Sequence, residues 1–304
     1  MRKLRYILVD VFTDRAFGGN PLAVFPDGQG ITNAEMQALA KELNLSETTF
    51  VLPAEQAEHD YKLRIFTPAL ELPMAGHPTL GTGFVLAHEG MTKLAEGETR
   101  ITLEEKVGPI PVSFQARSGL VESIEMQQPL PSFGERFERR EVITEMLSLS
   151  LTDLDETLPL EIVSCGVPFL FVPLKSLEAV KRVSFKRDIH DRELSESEAM
   201  GVFVFARGGE TEGATVHSRM FGPKFGIAED PATGAASGPL GAYLTRHNVV
   251  DTRHEEVEII SEQGFEMGRP SFVRIRIAHQ GQEITRVRVG GQCYYMGEGT
   301  FTLE

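Results

Sequence analysis

Two motifs occur twice in the chain, in the same order and at nearly the same separation. Arg64-Ile-Phe-Thr-Pro68 returns as Arg219-Met-Phe-Gly-Pro223, 155 positions later. Gly76-His77-Pro78-Thr-Leu-Gly81 is matched by Glu229-Asp230-Pro231-Ala-Thr-Gly234, 153 positions later. Chance recurrence of Gly and Pro turns would not preserve both order and spacing. The sequence therefore predicts two homologous halves with one active-site cleft between them.

The length and the charge of the chain narrow the classes of partner. With 304 residues, each half is long enough to bury a core of its own. The net charge of -14 argues against nucleic acid, which is held through clustered Lys and Arg. The apolar run near the N-terminus is shorter than we expect for a signal peptide, and no apolar stretch reaches membrane-spanning length. We expect a cytoplasmic protein with no membrane partner, whose Cys165 and Cys293 form no disulfide framework.

The hydrophobic pattern predicts an α+β fold. Alternating runs indicate strands at 4–12, 20–26, 48–52 and 61–66, and a period of 3.6 indicates an amphipathic helix over 33–44. Segments 79–89 and 235–244 are small and apolar all round, which is typical of a helix enclosed by sheet. We expect two pseudo-symmetric halves, each a curved, mostly antiparallel sheet or barrel wrapped around a central helix. The first half is predicted at 1–118 with a C-terminal strand at about 288–304, and the second half at 119–287.

Familiar cofactor motifs are incomplete in this chain. Gly76 and Gly81 have the spacing of a phosphate-binding loop, but Thr82 stands where such a loop needs lysine. No glycine-rich dinucleotide fingerprint follows a strand, and no His or Cys spacing indicates zinc. The sequence therefore predicts neither a cofactor nor a metal.

The repeated loops are the candidate site. Each places a polar residue, His77 or Asp230, directly before a proline and a glycine-containing helix start. Helix N-termini offer free amides to a carboxylate or a developing enolate, so a small anionic metabolite is the expected ligand. Taken alone, each residue could equally be a structural cap of its helix. Their duplicated placement favours a functional role.

The chain also resembles a known family, the PhzF proteins of phenazine biosynthesis and their relatives. The resemblance extends from residue 8 to about 300. It rests on Gly19-Asn-Pro-Leu-Ala-Val24, Leu45-Ser-Glu-Thr-Thr-Phe50, Arg64-Ile-Phe-Thr-Pro68, Glu71-Leu-Pro-Met-Ala-Gly-His-Pro-Thr79, Ser164-Cys-Gly-Val-Pro-Phe169, Asp230-Pro-Ala-Thr-Gly234 and Met267-Gly-Arg-Pro-Ser271. It implies a diaminopimelate-epimerase-like fold, a homodimer, and a cofactor-independent isomerase that moves a proton by acid/base catalysis.

The resemblance also assigns the site residues. It implies that Glu47 shuttles the proton, because a carboxyl group shielded from water has its pKa raised towards the range useful for that step. It implies that His77 and Asp230 complete the catalytic set by holding the polar groups of the substrate. The substrate-binding residues that it implies are Asn20, Ser46, Gly76, Thr233, Gly234 and Ala235.

One position departs from the family pattern. Ala235 stands where the phenazine enzyme has a serine after the Asp-Pro-Ala-Thr-Gly run, and Ser237, two residues on, should point elsewhere on a helix. This difference favours a substrate other than the phenazine precursor. One alternative remains open, a non-catalytic small-molecule-binding or interaction protein on the same fold, and a two-cysteine epimerase is disfavoured. The latter would need cysteines at the starts of the central helices, where Cys165 and Cys293 do not lie.

Overall fold

The chain forms two compact units. A computed structural model describes residues 1–303. The first unit comprises residues 1–127 together with the segment from Gly290 onward, and the second comprises Gln128–Val289. The division falls beyond the predicted position at Ser118, because the strand that begins at Leu120 is hydrogen-bonded to its neighbour in the first unit.

The first unit contains two helices, α1 (Asn33–Leu43) and α2 (Gly76–His88). Its strands are β1 (Arg2–Val11), β2 (Asn20–Phe25), β3 (Glu47–Pro53), β4 (Tyr61–Phe66), β5 (Glu71–Leu72), β6 (Gly97–Glu105), β7 (Gly108–Arg117) and β8 (Leu120–Gln128). The chain returns to this unit at its C-terminal end in β18 (Cys293–Leu303), which pairs antiparallel with β1.

The second unit contains four α-helices, three short 3-10 helices and most of the remaining strands. Its helices are α3 (Arg140–Leu147), α4 (Leu177–Arg182), α5 (Arg187–Glu193) and α6 (Gly234–Arg246). Its strands are β9 (Ser132–Arg136), β10 (Glu161–Ser164), β11 (Pro168–Pro173), β12 (Gly201–Arg207), β13 (Val216–Gly222), β14 (Ile227–Asp230), β15 (Glu256–Gln263) and β16 (Ser271–Gln280). The unit boundary falls inside β17 (Glu283–Gly291).

The two units share one pairing scheme. From β1 to β7, neighbouring strands pair antiparallel, parallel, antiparallel, antiparallel, parallel and antiparallel, with β4 pairing both β5 and β6. From β10 to β16 the same sequence of pairings recurs, with β13 pairing both β14 and β15. The predicted duplication and the predicted α+β class with mostly antiparallel pairing are thus confirmed.

A central helix is buried in each unit, as its composition predicts. Every residue of α2 except Phe84 and His88 is buried, and every residue of α6 except Ala235 and Arg246. Glycines allow the close packing: a Cβ at Gly81 would lie 2.6 Å from Leu22 Cδ2. Both helices start earlier than predicted, because no charged residue in their first turns marks where they begin.

The amphipathic helix α1 covers the other face of the first sheet. Its buried residues pack on Phe25 and Phe50, whose rings stack at 4.7 Å, on the strand face opposite Leu22. Thr32 is its N-cap, since it forms a capping box with Glu35, and the first helical residue is Asn33, where the predicted helix begins. Among residues 1–303, the structure has no helix with the length and apolar character needed to cross a bilayer.

Candidate active site

Glu47 and His77 meet inside the first unit. His77 Nε2 lies 3.2 Å from Glu47 Oε2, and the two residues are only 4% and 7% exposed. Glu47 is the first residue of β3, and it shares a strand face with Thr49. Thr49 Oγ1 lies 2.8 Å from Thr82 Oγ1 of α2, so this face of β3 is turned towards the helix that carries His77.

The His77 ring is neutral at physiological pH. Burial lowers the pKa of this imidazole from 6.5 to about 3, because the charged form would lose its hydration. The contact with Glu47 therefore joins a carboxyl group to an uncharged ring, and it is not a salt bridge at pH 7. A neutral imidazole has one N–H donor and one acceptor nitrogen, so it can hold or pass a proton beside the carboxyl group.

Three predicted substrate-binding residues of the first unit lie at, or directly before, the starts of β2, β3 and α2. Asn20 is fully buried at the start of β2, the strand that pairs in parallel with β3 through Leu22 and Glu47. Ser46 is half-buried and directly precedes β3. Gly76 is the first residue of α2 and is buried.

The first turn of α2 has features of an anion-binding helix start. Its N-cap, Ala75, makes no side-chain capping bond, and no acidic residue lies in the first turn. The positive end of the helix dipole is thus left without a neutralising carboxylate from its own turn. Inside the turn, Thr79 Oγ1 lies 2.5 Å from both the carbonyl oxygen of Ala75 and Oε1 of the buried Glu105.

In the second unit, Asp230 and Thr233 are brought together. Asp230 ends β14 and is 4% exposed, and its Oδ2 accepts a hydrogen bond from the hydroxyl of Thr233. The side chain of Gln263 holds this loop. Its Nε2 donates to the Asp230 carbonyl at 2.7 Å and to Thr233 Oγ1 at 3.0 Å, and its Oε1 accepts from the Thr233 amide at 3.0 Å.

The structure corrects the register of the repeat. Arg64 forms a two-bond ion pair with Glu71, and Arg219 forms the same pair with Glu229. Glu71 and Glu229 are therefore equivalent in the repeat, which aligns the helix starts Gly76 and Gly234 and makes Ala235 the equivalent of His77. The sequence comparison of His77 with Asp230 is wrong by five residues, because each loop contains a proline and a glycine that align in either register.

The consequence is that His77 and Asp230 occupy different structural positions. His77 lies within the first turn of α2, whereas Asp230 and Pro231 precede α6 and lie outside it. Proline therefore lies in the first helical turn of α2 only. His77 and Asp230 are two distinct groups, and they are not copies of one ancestral residue.

The remaining predicted site residues lie at the start of α6. Thr233 is its N-cap and Gly234 its first residue; both are buried, and Ala235 is half-buried. Ser237 Oγ donates to the Thr233 carbonyl at 2.9 Å, so its hydroxyl is directed back along the helix, as predicted. It does not supply the hydroxyl that Ala235 lacks.

Sequence reasoning missed Glu105 and Gln263. Each is the last residue of a strand, β6 or β15, and each touches the loop or turn that carries a candidate catalytic residue. A signal was present in the sequence: Glu104-Glu105 and Glu262-Gln263 lie 158 positions apart, the same separation as Gly76 and Gly234.

Comparisons with known proteins identify the family of the chain. The family model described as "PhzC-PhzF: Phenazine biosynthesis-like protein" matches residues 9–299. A trans-2,3-dihydro-3-hydroxyanthranilate isomerase of Pseudomonas aeruginosa is 38% identical over 297 residues, covering 97% of this chain and 98% of the relative.

Solved structures match over nearly the whole chain. A PhzF family protein of Bacillus anthracis has a TM-score of 0.90 at 30% identity, with 100% of both chains covered. A probable proline racemase of Agrobacterium radiobacter has a TM-score of 0.66 at 13% identity, covering 99% of this chain and 93% of that one, which supports the fold alone.

Proposed function

The chain belongs to the PhzC-PhzF family of isomerases, and on that premise we propose that it moves a proton within a small carboxylate-bearing metabolite by acid/base catalysis, without a cofactor. The observation that carries the proposal is the buried contact between Glu47 and His77. A carboxyl group in contact with a neutral imidazole can take a proton from carbon, hold it, and return it to carbon.

Each step of the proposed reaction is a proton transfer. Glu47, as a carboxylate, removes a proton from a carbon atom of the substrate and becomes a carboxylic acid. The electron pair left behind spreads into the conjugated system of the substrate, and Glu47 then returns the proton to a different carbon. Substrate and product are isomers, so no oxidant or reductant is required.

Other residues would orient the substrate and stabilise its charge. His77 would hold Glu47 and a polar group of the substrate, and the amides at Gly76 would face the developing negative charge, where preorganised donors lower the barrier. Asp230, fixed by Thr233 and Gln263, is assigned to the same reaction on the family resemblance.

The substrate is proposed to differ from that of the Pseudomonas enzyme. Ala235 lacks a hydroxyl, and the Ser237 hydroxyl is occupied by the Thr233 carbonyl. A site that has lost a donor discriminates strongly against a ligand that needs it. We therefore expect trans-2,3-dihydro-3-hydroxyanthranilate to react more slowly than another small cyclic acid.

Solvent deuterium exchange tests the proposal. The protein is incubated in D2O with a panel of small cyclic carboxylic acids that includes trans-2,3-dihydro-3-hydroxyanthranilate, and NMR follows deuterium entering each compound. We expect exchange into at least one acid, and a loss of about 10²- to 10⁴-fold in Glu47→Gln. Glu42→Gln, at an exposed glutamate of α1, should exchange like the parent.

Two results would contradict the proposal. Exchange by Glu47→Gln at the parental rate would remove Glu47 from the mechanism. Binding of an acid without any exchange would instead favour the non-catalytic alternative, a small-molecule-binding protein on the same fold.

Asp230→Asn is expected to slow exchange by at least tenfold, and parental rates in that variant would remove Asp230 from the reaction.

A further inference from the structure

Two equivalent glutamates anchor β6 and β15 in the same way. The carboxylate of Glu104 accepts the backbone N–H groups of residues 55 and 56 at 2.8 and 2.7 Å. The carboxylate of Glu262 accepts those of residues 210 and 211 at the same two distances. Each also contacts a histidine Nδ1, at 2.9 Å in the first unit and 3.0 Å in the second. The residues that follow them, Glu105 and Gln263, therefore occupy equivalent positions.

The side chain at this position in the second unit is an uncharged hydrogen-bond donor. Gln263 donates through Nε2 to Thr233 Oγ1 and to the Asp230 carbonyl, and so it holds the segment that leads into α6. A protonated glutamic acid has nearly the same shape as glutamine, and it also has a donor. Because the two positions are equivalent, we expect Glu105 to hold the start of α2 as an uncharged hydrogen-bond donor as well.

The hydrogen bonds of Thr79 also indicate a protonated Glu105. The Thr79 hydroxyl has a single proton, yet Oγ1 lies 2.5 Å from both the Ala75 carbonyl and Glu105 Oε1. A carbonyl oxygen can only accept. One proton can serve only one of these contacts at full strength, so both are full hydrogen bonds when Thr79 donates to Ala75 and Glu105 donates to Thr79. That arrangement requires a proton on Glu105.

The surroundings of Glu105 disfavour its ionised form. The residue is 8% exposed, and its Oε2 has no hydrogen-bond partner among residues 1–303. Burial raises the pKa of this carboxyl group to about 8, although donation from the Thr79 hydroxyl to the ionised form would lower it by a smaller amount. The charged or titratable side chains that share its groove are Lys62 and Arg64 on β4, Glu71 on β5, and Glu55, His59, Glu104 and Lys106.

The cations of this groove are already engaged by other carboxylates. Arg64 and Lys106 both bind Glu71, at 2.8 and 2.7 Å, and Lys62 contacts Glu55. On the helix side, the titratable residue nearest along α2 is His77, which is neutral. None of these groups supplies the positive charge that would favour ionisation of Glu105.

We propose that Glu105 is a positioning residue that, as a neutral carboxylic acid, donates a hydrogen bond to Thr79 and thereby fixes the first turn of α2 and the His77 ring within it. Its effect on catalysis rests on the proposed function, because it acts through His77. Its protonation and its effect on the position of His77 do not depend on that function, and both can be measured without a substrate.

NMR of the histidine ring nitrogens tests the position of His77. The His77 signals are assigned by their loss in His77→Gln. Because the His77 ring itself gains a proton only near pH 3, a step in its shifts near pH 8 would report ionisation of Glu105. We expect that step in the parent and its absence in Glu105→Gln. Identical pH dependence of the His77 signals in both proteins would overturn the proposal.

Thermal unfolding supplies a second readout. The native state keeps a proton on Glu105 between about pH 4.5 and 8, whereas the unfolded chain releases it. This contribution to stability is complete below pH 4.5 and is lost as the pH rises to about 8. The Tm of Glu105→Gln relative to the parent should therefore rise through that window and then level off. A difference independent of pH would contradict the protonated state.

Activity measurements separate positioning from packing. With an acid that exchanges deuterium, Glu105→Gln should keep kcat within about twofold at pH 7 and lose the decline that the parent shows above pH 8. Thr79→Val, which removes the hydroxyl, should lower kcat at least tenfold with little change in KM, and Thr79→Ser should restore it. Glu104→Gln, on the neighbouring residue, should keep the alkaline decline. If Thr79→Val retained parental kcat, the positioning role would be wrong even where exchange by the parent supports the proposed function.

Discussion

At the residue scale, burial of His77 makes the native state sensitive to acid. The folded protein resists protonation of this ring down to about pH 3, whereas the unfolded chain takes up the proton near pH 6.5. The contribution of the neutral His77 ring to the free energy of unfolding is therefore fully present above about pH 6.5. It is lost as the pH falls from there to about 3, by about 1.4 kcal/mol per pH unit.

Unfolding by urea at several pH values checks this expectation. His77→Gln lacks the pH dependence of unfolding that arises from the His77 ring. The difference in free energy of unfolding between parent and variant should therefore shrink as the pH falls from 6.5 to 4. His254→Gln, at an exposed histidine, serves as the control and should follow the parent. A constant difference between the parent and His77→Gln would show that the ring is not held neutral.

Gln263 is a second residue whose importance comes from its contacts alone. Its amide makes three hydrogen bonds to the segment from Asp230 to Thr233. Gln263→Glu keeps the shape but removes the donor, and as a carboxylate it would face the Asp230 carbonyl. We expect it to slow deuterium exchange by at least tenfold and to lower the free energy of unfolding by about 1–3 kcal/mol. Gln280→Ala, at an exposed glutamine, should change neither quantity.

At the element scale, the central helix α2 depends on its glycines. Gly to Ala in an exposed helix usually stabilises it by about 1 kcal/mol. At Gly81 the added methyl would lie 2.6 Å from Leu22 Cδ2 and 2.7 Å from Val11 Cγ2, so two side chains on neighbouring strands must move. We expect Gly81→Ala to destabilise the protein by about 1–3 kcal/mol in urea unfolding.

Gly83 offers a graded comparison on the same helix. A methyl there would lie 2.7 Å from Ile124 Cδ1, the free end of a flexible side chain, with the next atom at 3.3 Å. Gly83→Ala should therefore cost less than Gly81→Ala. If Gly83→Ala destabilised the protein more than Gly81→Ala, the packing around α2 would differ from that in the structure.

The elements themselves were largely predictable, and their alignment was not. Periodicity gave the strand at 61–66 with its observed bounds, and the uniform apolar character of 79–89 gave a buried helix. The predicted start of α2 at residue 79 lies three residues after the observed start at Gly76, because the N-cap Ala75 makes no side-chain capping bond. The register of the repeat emerged only from the two Arg–Glu pairs, since these bonds join residues from different strands.

At the scale of the whole molecule, the net charge of -14 should slow the approach of an anionic substrate. Salt screens that repulsion over about 10 Å at 0.1 M. For an acid that exchanges, kcat/KM should therefore rise severalfold as NaCl increases from about 10 to about 150 mM. The uncharged amide of the same acid is the control and should show no such rise. A flat dependence for the acid would mean that local positive ends of helices outweigh the net charge.

The homodimer remains a prediction from the family resemblance. Sedimentation equilibrium at micromolar concentration should give twice the mass of one chain if it is correct. A single-chain mass at that concentration would contradict it.

The sequence by itself determined the duplication, the α+β class, the buried central helices and the identity of Glu47, His77 and Asp230 as candidates, because repeats, periodicity and family motifs are written along the chain. Only the tertiary structure brought Glu47 to 3.2 Å from His77, made that ring neutral by burial, and set Glu105 and Gln263 against the segments that carry the candidate residues. The physical reason is that pKa values and side-chain hydrogen bonds depend on which residues distant in sequence exclude water together.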